Sequence, residues 1–204
     1  LMRSLPPSIR IVATPTFDVP GCDGPRYSSV LVVSASAYAN GAVSLARCRG
    51  LRAAVNDPLS NSGMNVLRHA VAPLARDGRF FGAVVQTGSH VGSMRALAEG
   101  AADVAAIDCV TFAFAQDSPE VAGLPLHVLG NTVQTPGLPL IASSSLSPQH
   151  VELLRYALQS ALESNPERAR ALRLRDFAQT TREDYAALVD LENQAIALGY
   201  PRLG

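Results

Sequence analysis

Residues 51–63 read LRAAVNDPLSNSG, and residues 80–90 read FFGAVVQTGSH. In each stretch a short apolar run, which predicts a buried strand, leads into a turn of hydroxyl residues and Gly. A helical pattern follows each turn, over residues 62–76 and 91–98, and a third strand is predicted over residues 103–107. Strands that alternate with single helices predict right-handed βαβ units and a parallel sheet.

The flanking sequence carries further elements. We expect strands at 9–13 and 30–33, a short helix at 110–115, and extended segments at 126–129 and 138–143. From residue 148 onward the pattern predicts three helical pieces, broken near 165–166 and 180–181, and no strand. These helices must pack on a sheet, but the strands expected at 9–13 and 30–33 form only a small one. The sheet is therefore small, or part of this lobe precedes residue 1.

The bulk composition indicates a globular protein without an electrostatic preference. Apolar residues make up 48% of the 204 residues, and 17 basic side chains balance 17 acidic ones. A neutral chain has no net field to attract nucleic acid or a membrane surface. No apolar run approaches the roughly 20 residues that span a bilayer, and the opening LMRSLPP lacks a signal-peptide pattern. We therefore expect neither nucleic-acid binding nor membrane insertion.

The three cysteines are Cys22, Cys48 and Cys109. They are widely scattered, and no C-x-x-C pair occurs, so the sequence does not predict a structural zinc site. Small buried hydrophobic side chains are the simplest interpretation of them. We expect no metal and no cofactor.

Two strand-to-helix junctions are the candidate site. They consist of Ser60, Asn61, Ser62 and Gly63, and of Thr87, Gly88, Ser89 and His90. A helix N-terminus exposes unpaired N–H groups and partial positive charge, Gly allows close approach, and hydroxyls add donors. Two such junctions at one sheet edge predict a binding site for a tetrahedral oxyanion. Alternatively, the Ser, Thr and Asn residues are ordinary helix N-caps.

Two titratable side chains lie beside these junctions. His90, in the first turn of its helix, could donate a charge-assisted hydrogen bond to an anion. The other histidines, His69, His127 and His150, are assigned no role. Asp108, which ends the third strand, could accept a bond from a protonated anion or meet a ligand ammonium. It could equally cap the helix that starts near Cys109.

These segments together resemble a known family. Residues 52–56 (RAAVN), 60–64 (SNSGM), 87–90 (TGSH) and 106–108 (AID) stand in the order and spacing of the phosphonate-binding components of ABC importers. Residues 21–29 (GCDGPRYSS) resemble the tyrosine-bearing segment of that family, and residues 135–139 (TPGLP) the returning crossover. The likeness runs from about residue 9 to about residue 160.

The resemblance implies a type 2 periplasmic binding fold of two α/β lobes joined by a hinge. It also implies a non-enzymatic, periplasmic solute-binding protein that delivers a phosphate- or phosphonate-like anion to an ABC permease. Phosphoryl oxygens would contact Ser60, Ser62, Thr87, Ser89 and His90, with Tyr27 across the cleft. We expect one lobe at residues 36–128, and the other at residues 1–35 plus 129–204.

Two departures from the family pattern matter. Family members begin with a further βαβαβ portion, which would precede Leu1 and complete the first lobe. Cys22 would be a candidate to pair with a cysteine in that portion, and its absence would leave apolar surface uncovered. In addition, Leu138 and Val110 stand where members that bind aminoalkyl phosphonates place carboxylates. Specificity for an aminoalkyl tail is therefore not expected.

Two other functions compete with solute import. A hydrolase would use Ser89 or Ser62 with His90, but no Gly-x-Ser-x-Gly elbow surrounds either serine. A ligand-sensing or regulatory domain would share both fold and site, and the sequence does not separate it from a transport protein.

Overall fold

The computed structural model describes residues 9–204. Its strands are β1 (Ile9–Phe17), β2 (Cys22–Asp23), β3 (Arg26–Tyr27), β4 (Ser29–Ser34), β5 (Arg52–Val55), β6 (Ala83–Gln86), β7 (Val104–Asp108), β8 (Leu126–Asn131), β9 (Thr135–Pro136), β10 (Leu140–Ser143) and β11 (Leu174–Ala178). Its α-helices are α1 (Ala35–Ala39), α2 (Val66–Val71), α3 (His90–Ala98), α4 (Cys109–Ala115), α5 (Pro148–Ser164), α6 (Pro166–Ala171) and α7 (Ala186–Ala197).

The largest sheet has five strands in the order β6-β5-β7-β4-β8. Strand β5 runs parallel to β6 and β7, as the alternating pattern predicts. Strand β4, however, is antiparallel to both β7 and β8, so the sheet is mixed and not purely parallel. The chain enters this sheet along β4 and leaves it along the neighbouring β8, which runs in the opposite direction.

The place of β4 also moves the boundary expected between the lobes. The boundary expected at residue 35 places residues 29–34 with the terminal segments. In the structure they form hydrogen-bonded pairs inside the five-stranded sheet. Strand β8 likewise extends to Asn131, beyond the expected boundary at residue 128. Because β4 and β8 both pair within the five-stranded sheet, we propose that the chain passes between the two lobes near residues 28 and 132.

Helices cover this sheet on both faces, which explains its apolar strands. Val33 packs in a buried cluster with Leu67 of α2, whereas Val32 packs with Met94 of α3 on the opposite face. A strand buried on both faces needs a continuous apolar run, as SVLVVS in β4 provides. Helix α7 returns to the α2 face, where Ala195 joins the cluster.

The helix predicted over residues 62–76 is three successive segments. A π-helix at Asn61–Asn65 leads into α2, which ends in a 3₁₀-helix at Ala72–Leu74. Pro73 lies in the last segment, where a residue without an N–H ends the regular hydrogen bonding of a helix. The π-helix is the part that borders the candidate site, and wide turns of this kind are common at functional sites.

The terminal segments build a separate three-stranded sheet in the order β10-β1-β11. Strand β1 pairs with β10 over its first half and with β11 over its second. Each half therefore has one partner only, which explains why the strand continues through Pro15. The expectation that the tail after residue 148 has no strand is wrong, because β11 lies within it.

Apolar side chains remain exposed around this small sheet. Ile141 of β10 is 49% exposed, and Leu153 and Tyr156 of α5 are 63% and 74% exposed. They lie on the part of the molecule where the sequence predicted uncovered apolar surface. The buried cluster beneath them consists of Val12, Ala13 and Val151, a small core compared with those of the five-stranded sheet.

Candidate functional site

A cavity of about 490 Å³ lies beside the carboxyl ends of β5 and β7. One side comes from the five-stranded sheet and its helices, and the other from the β2–β3 hairpin, β9 and the residues that follow it. The carboxyl edge of parallel strands is where α/β proteins bind ligands. The polar and titratable side chains on its wall are Cys22, Arg26, Tyr27, Asn56, Ser60, Asn61, Ser62, His90, Asp108, Thr111 and Tyr185.

The first junction places its serines at the mouth of the π-helix. Ser60 is the N-cap, and its Oγ accepts a hydrogen bond of 3.0 Å from the Gly63 N–H. The Ser62 carbonyl accepts a hydrogen bond of 2.8 Å from Ser29 Oγ, which anchors the turn to β4. Ser62 Oγ in turn lies 2.9 Å from Nε2 of His90, so the two junctions meet.

Gly63 is required by a close approach, not by a turn. A Cβ atom at this position would lie 1.8 Å from Asn56 Oδ1 and 3.3 Å from His90 Cε1. The glycine therefore lets the π-helix pack against Asn56 at the end of β5 and against the imidazole ring. Gly63 itself lies behind the cavity wall, where it supports the residues that line the cavity.

Asn61 connects the two sides of the cavity. Its Nδ2 donates a hydrogen bond of 3.0 Å to Thr135 Oγ1 and a long one of 3.4 Å to the Tyr27 hydroxyl. Burial raises the pKa of Tyr27 to about 12, although the bond from Asn61 opposes the shift. Tyr27 therefore stays a neutral phenol, with the side chains of Ser62 and Thr135 also within reach of its hydroxyl.

His90 is the first residue of α3, after the N-cap Ser89. Burial lowers the pKa of His90 from its ordinary 6.5, and the Asp108 charge and the Ala106 carbonyl oppose that shift. The buried Nδ1 makes no hydrogen bond of regular geometry, although the Ala106 carbonyl lies near enough to favour the protonated ring. The ring is therefore largely neutral at neutral pH.

Asp108 fulfils the capping role considered for it and also faces the cavity. Its Oδ1 accepts a hydrogen bond of 2.9 Å from the Thr111 N–H, which caps α4. The side chain is nonetheless part of the cavity wall. One carboxylate oxygen is thus held by the helix, and the other has no hydrogen bond among residues 9–204, which leaves it available to a ligand.

The rest of the second junction does not line the cavity. Thr87 Oγ1 lies 2.6 Å from Ser93 Oγ and donates to the Val55 carbonyl at 3.1 Å. Ser89 Oγ accepts from the Gly92 N–H at 2.9 Å, and Gly88 is exposed with φ +79°. Ser89 is therefore an ordinary helix N-cap, and the hydroxyl of Thr87 is used in bonds within the protein. Of this junction, only His90 lines the cavity.

Sequence reasoning missed five polar or titratable residues of the cavity wall: Cys22, Arg26, Asn56, Thr111 and Tyr185. Asn56 ends β5, and a polar residue at the carboxyl end of a buried strand is the signal that could have found it. Tyr185 precedes α7, more than 70 residues after Asp108, and no local pattern marks it. Its hydroxyl donates to the Gly137 carbonyl at 2.9 Å and holds the crossover at the cavity.

The hydrolase alternative has one supporting contact, the hydrogen bond between Ser62 and His90. A serine nucleophile also needs a group that orients the histidine through its other nitrogen. Among residues 9–204 no carboxylate hydrogen-bonds to His90 Nδ1, and Asp108 Oδ1 accepts from Thr111 instead. The arrangement therefore does not favour nucleophilic catalysis.

Residues 10–185 match the family described as ABC transporter, phosphonate, periplasmic substrate-binding protein. The chain belongs to this family. Its members bind solutes for ABC transporters. Sequence comparison with curated proteins gave no match. Over residues 9–204 none of the helices combines the length and the apolar character needed to cross a membrane.

Solved structures of such proteins share the fold. The binding protein component of an ABC phosphonate transporter from Pseudomonas aeruginosa superimposes with a TM-score of 0.72 at 21% identity, over 91% of this chain and 63% of that one. PhnD1 from Prochlorococcus marinus, in complex with methylphosphonate, gives 0.72 at 15% identity, over 92% and 71%. XAC2383 from Xanthomonas citri, bound to ATP, gives 0.65 at 15% identity, over 94% and 72%. The chain therefore has the type 2 periplasmic binding fold.

Proposed function

We propose that the chain binds a small phosphonate or phosphate anion in the cavity described above and delivers it to an ABC permease outside the cytoplasm. The observation that carries this proposal is the hydrogen bond of 2.9 Å between Ser62 Oγ and His90 Nε2, opposite the Tyr27 hydroxyl. It joins two strand-to-helix junctions at one point of the cavity wall. The family match supports the proposal, and the net charge of zero means that local donors must hold the anion.

The donors come from several directions. When His90 carries its proton on Nε2, it donates to Ser62 Oγ, and the Ser62 hydroxyl proton is then free for an anion. The Tyr27 hydroxyl would be a further donor, since burial raises its pKa to about 12 and keeps it protonated. Ser60 contributes a hydroxyl whose oxygen is occupied by the Gly63 N–H, which leaves its proton available.

Anion binding would change the protonation of His90. Burial lowers its pKa, whereas the negative charge of a bound anion would favour the imidazolium. The imidazolium would point one N–H toward Ser62 and the other toward the Ala106 carbonyl, which already favours that form. Binding of the anion is thus coupled to the uptake of a proton, and the charged ring strengthens the hydrogen bonds to the ligand.

Asp108 supplies selectivity among oxyanions. Its unpaired carboxylate oxygen can accept a hydrogen bond from a P–OH group, which phosphate and alkyl phosphonates carry as monoanions. Sulfate has no such proton at neutral pH, so it would meet the carboxylate with repulsion only. The site therefore favours a protonated phosphorus oxyanion over sulfate.

The substituent of the anion would meet apolar surface. Val110 and Leu138 both line the cavity, beside Pro139 and Leu188. A methyl group or another small alkyl group gains from such contact, whereas an ammonium group would lose hydration without a dedicated carboxylate partner. Methylphosphonate fits this wall better than 2-aminoethylphosphonate does.

Isothermal calorimetry tests the proposal with four probes at equal ionic strength: methylphosphonate, inorganic phosphate, 2-aminoethylphosphonate and sulfate. We expect saturable binding of the first two, weaker binding of the third and none of sulfate. Buffers of different ionisation enthalpy would reveal the proton taken up with the anion. Binding of sulfate as tight as that of phosphate, or no binding of any phosphorus oxyanion, would overturn the proposal.

A further inference from the structure

Two cysteines distant in sequence meet at the wall of the cavity. Cys22 Sγ lies 3.5 Å from Cys109 Sγ, although the residues are 87 positions apart. Cys22 stands in the β2–β3 hairpin, paired directly with Tyr27. Cys109 is the first residue of α4 and directly follows Asp108. The two sulfurs therefore connect the element that carries Tyr27 with the one that carries Asp108.

The backbone around these sulfurs is held in place from both sides. Gly21 has φ +98°, and a Cβ atom there would lie 3.0 Å from Cys109 Cβ, so only glycine lets the hairpin approach so closely. The Cys109 N–H donates a hydrogen bond of 3.2 Å to the Ser28 carbonyl. The sulfurs need to move together by only about 1.5 Å to reach disulfide length.

We propose that Cys22 and Cys109 form a disulfide bond, which fixes the Tyr27 hairpin to the start of α4. This assignment differs from the sequence-based expectation, in which Cys22 pairs with a cysteine preceding the chain. It is independent of the identity of the ligand. Cys48 is excluded as a partner because it is fully buried in the cluster beneath the other face of the sheet.

The reaction is a thiol–disulfide exchange with a disulfide oxidant, R–S–S–R. Cys22 lines two cavities and is the accessible sulfur, whereas Cys109 is 1% exposed. The Cys22 thiolate attacks the oxidant, a mixed disulfide forms, and one R–S⁻ leaves. The Cys109 thiolate then attacks Cys22 Sγ and displaces the second R–S⁻. The two cysteines are oxidised, the oxidant is reduced to two R–SH, and these take up the two protons.

The contact also sets the order of the two thiol pKa values in the reduced protein. The hydrogen bond from Cys22 lowers the pKa of the Cys109 thiol, whereas burial opposes that shift. For Cys22, the hydrogen bond to Cys109 and burial both raise the pKa of the thiol. This hydrogen bond exists only while Cys22 is a thiol; in the mixed disulfide, Cys109 attacks because its Sγ lies 3.5 Å from Cys22 Sγ.

Oxidation with oxidised glutathione, followed by denaturation and alkylation with iodoacetamide, tests the bond. We expect one alkylated cysteine instead of three, and a peptide that links Cys22 to Cys109 after proteolysis. The oxidised form should melt about 5–15 °C above the reduced form, because the bond closes a long loop. Amide exchange at residues 22–27 should be slower once the bond has formed.

Three variants make the result specific. Cys22→Ser and Cys109→Ser should each remove both the linked peptide and the shift in melting temperature, whereas Cys48→Ala should keep them. Three alkylated cysteines after oxidation, or a linked peptide that contains Cys48, would overturn the assignment. Because mass and melting are the readouts, the outcome does not depend on whether phosphonate binds.

Discussion

Gly63 approaches Asn56 so closely that a Cβ atom on it would lie 1.8 Å from Asn56 Oδ1. The π-helix that carries Ser62 therefore packs against the amide of Asn56, at the end of β5, and Gly63 is the residue at the contact. A Cβ atom on the same glycine would also lie 3.3 Å from His90 Cε1, so one position without a side chain sets the spacing of the site. The positions of Ser62 and His90 depend on this glycine, although the glycine itself does not line the cavity.

Gly63→Ala should therefore displace Asn56 and the π-helix. We expect a loss of about 1–3 kcal/mol in the free energy of unfolding, as for other overpacked buried positions, together with weaker methylphosphonate binding. Urea unfolding and calorimetry measure the two effects. Gly123→Ala is the matched control, because a Cβ atom there meets nothing within 4 Å and no positive φ is involved. Equal stability of the two variants would contradict the close-packing argument.

His90→Ala should weaken binding of inorganic phosphate by roughly ten- to a hundredfold, because Ser62 Oγ loses its charged hydrogen-bond donor, and a bond from such a donor contributes about 1.5–3 kcal/mol. His69→Ala is the control: its Nε2 lies 2.9 Å from Gln194 Oε1, away from the cavity, and its loss should leave affinity unchanged. Calorimetric titration of both variants decides the matter. Equal affinities of the wild type and the His90 variant would remove His90 from the site.

The pH dependence of stability should also report His90. Its pKa in the folded protein lies below the ordinary 6.5, so the unfolded chain binds the proton more readily. The neutral ring therefore makes its full contribution to the free energy of unfolding above the ordinary pKa of 6.5. That contribution is lost as the pH falls from there through the lower pKa of the folded protein. Between about pH 7.5 and about pH 5.5 the urea midpoint of the wild type should fall more than that of His90→Gln. Parallel curves for the two proteins would argue against a depressed pKa.

Tyr27→Phe should weaken methylphosphonate binding by about three- to tenfold, the value of one neutral hydrogen bond. The raised pKa of about 12 adds a spectroscopic prediction. Near pH 11 the phenolate absorbance of the wild type and of Tyr27→Phe should be nearly the same, because Tyr27 is still protonated there. Tyr156→Phe is the control, because that ring is 74% exposed on α5 and should leave affinity unchanged. Unchanged affinity of Tyr27→Phe would show that the hydroxyl does not reach the ligand.

Leu138→Glu should shift preference toward 2-aminoethylphosphonate, because it adds a carboxylate to the apolar wall of the cavity. We expect the ratio of its affinity to that of methylphosphonate to rise by about three- to tenfold, and to fall again at high salt. Leu140→Glu, on β10 and off the cavity wall, should not change the ratio. If both variants behaved alike, Leu138 would not face the substituent of the ligand.

Much of the fold follows from local pattern. The apolar runs of β4, β5 and β7 are buried on both faces, and such runs can be recognised in the sequence alone. Strand β11 was missed because its sequence, LRDFA, alternates poorly and contains two charged side chains. It is extended because β1 offers it a hydrogen-bonding edge, and that edge is a property of the folded chain.

The sequence by itself determined the two strand-to-helix junctions, the type of residue at each and the family to which the chain belongs. Capping, glycine placement and hydrophobic period are local properties, and neighbouring residues specify them. The tertiary structure alone decided that Ser62 and His90 meet, and that Cys22 meets Cys109. Those contacts join residues 28 to 87 positions apart, and their geometry depends on how the strands pack, which no local pattern encodes.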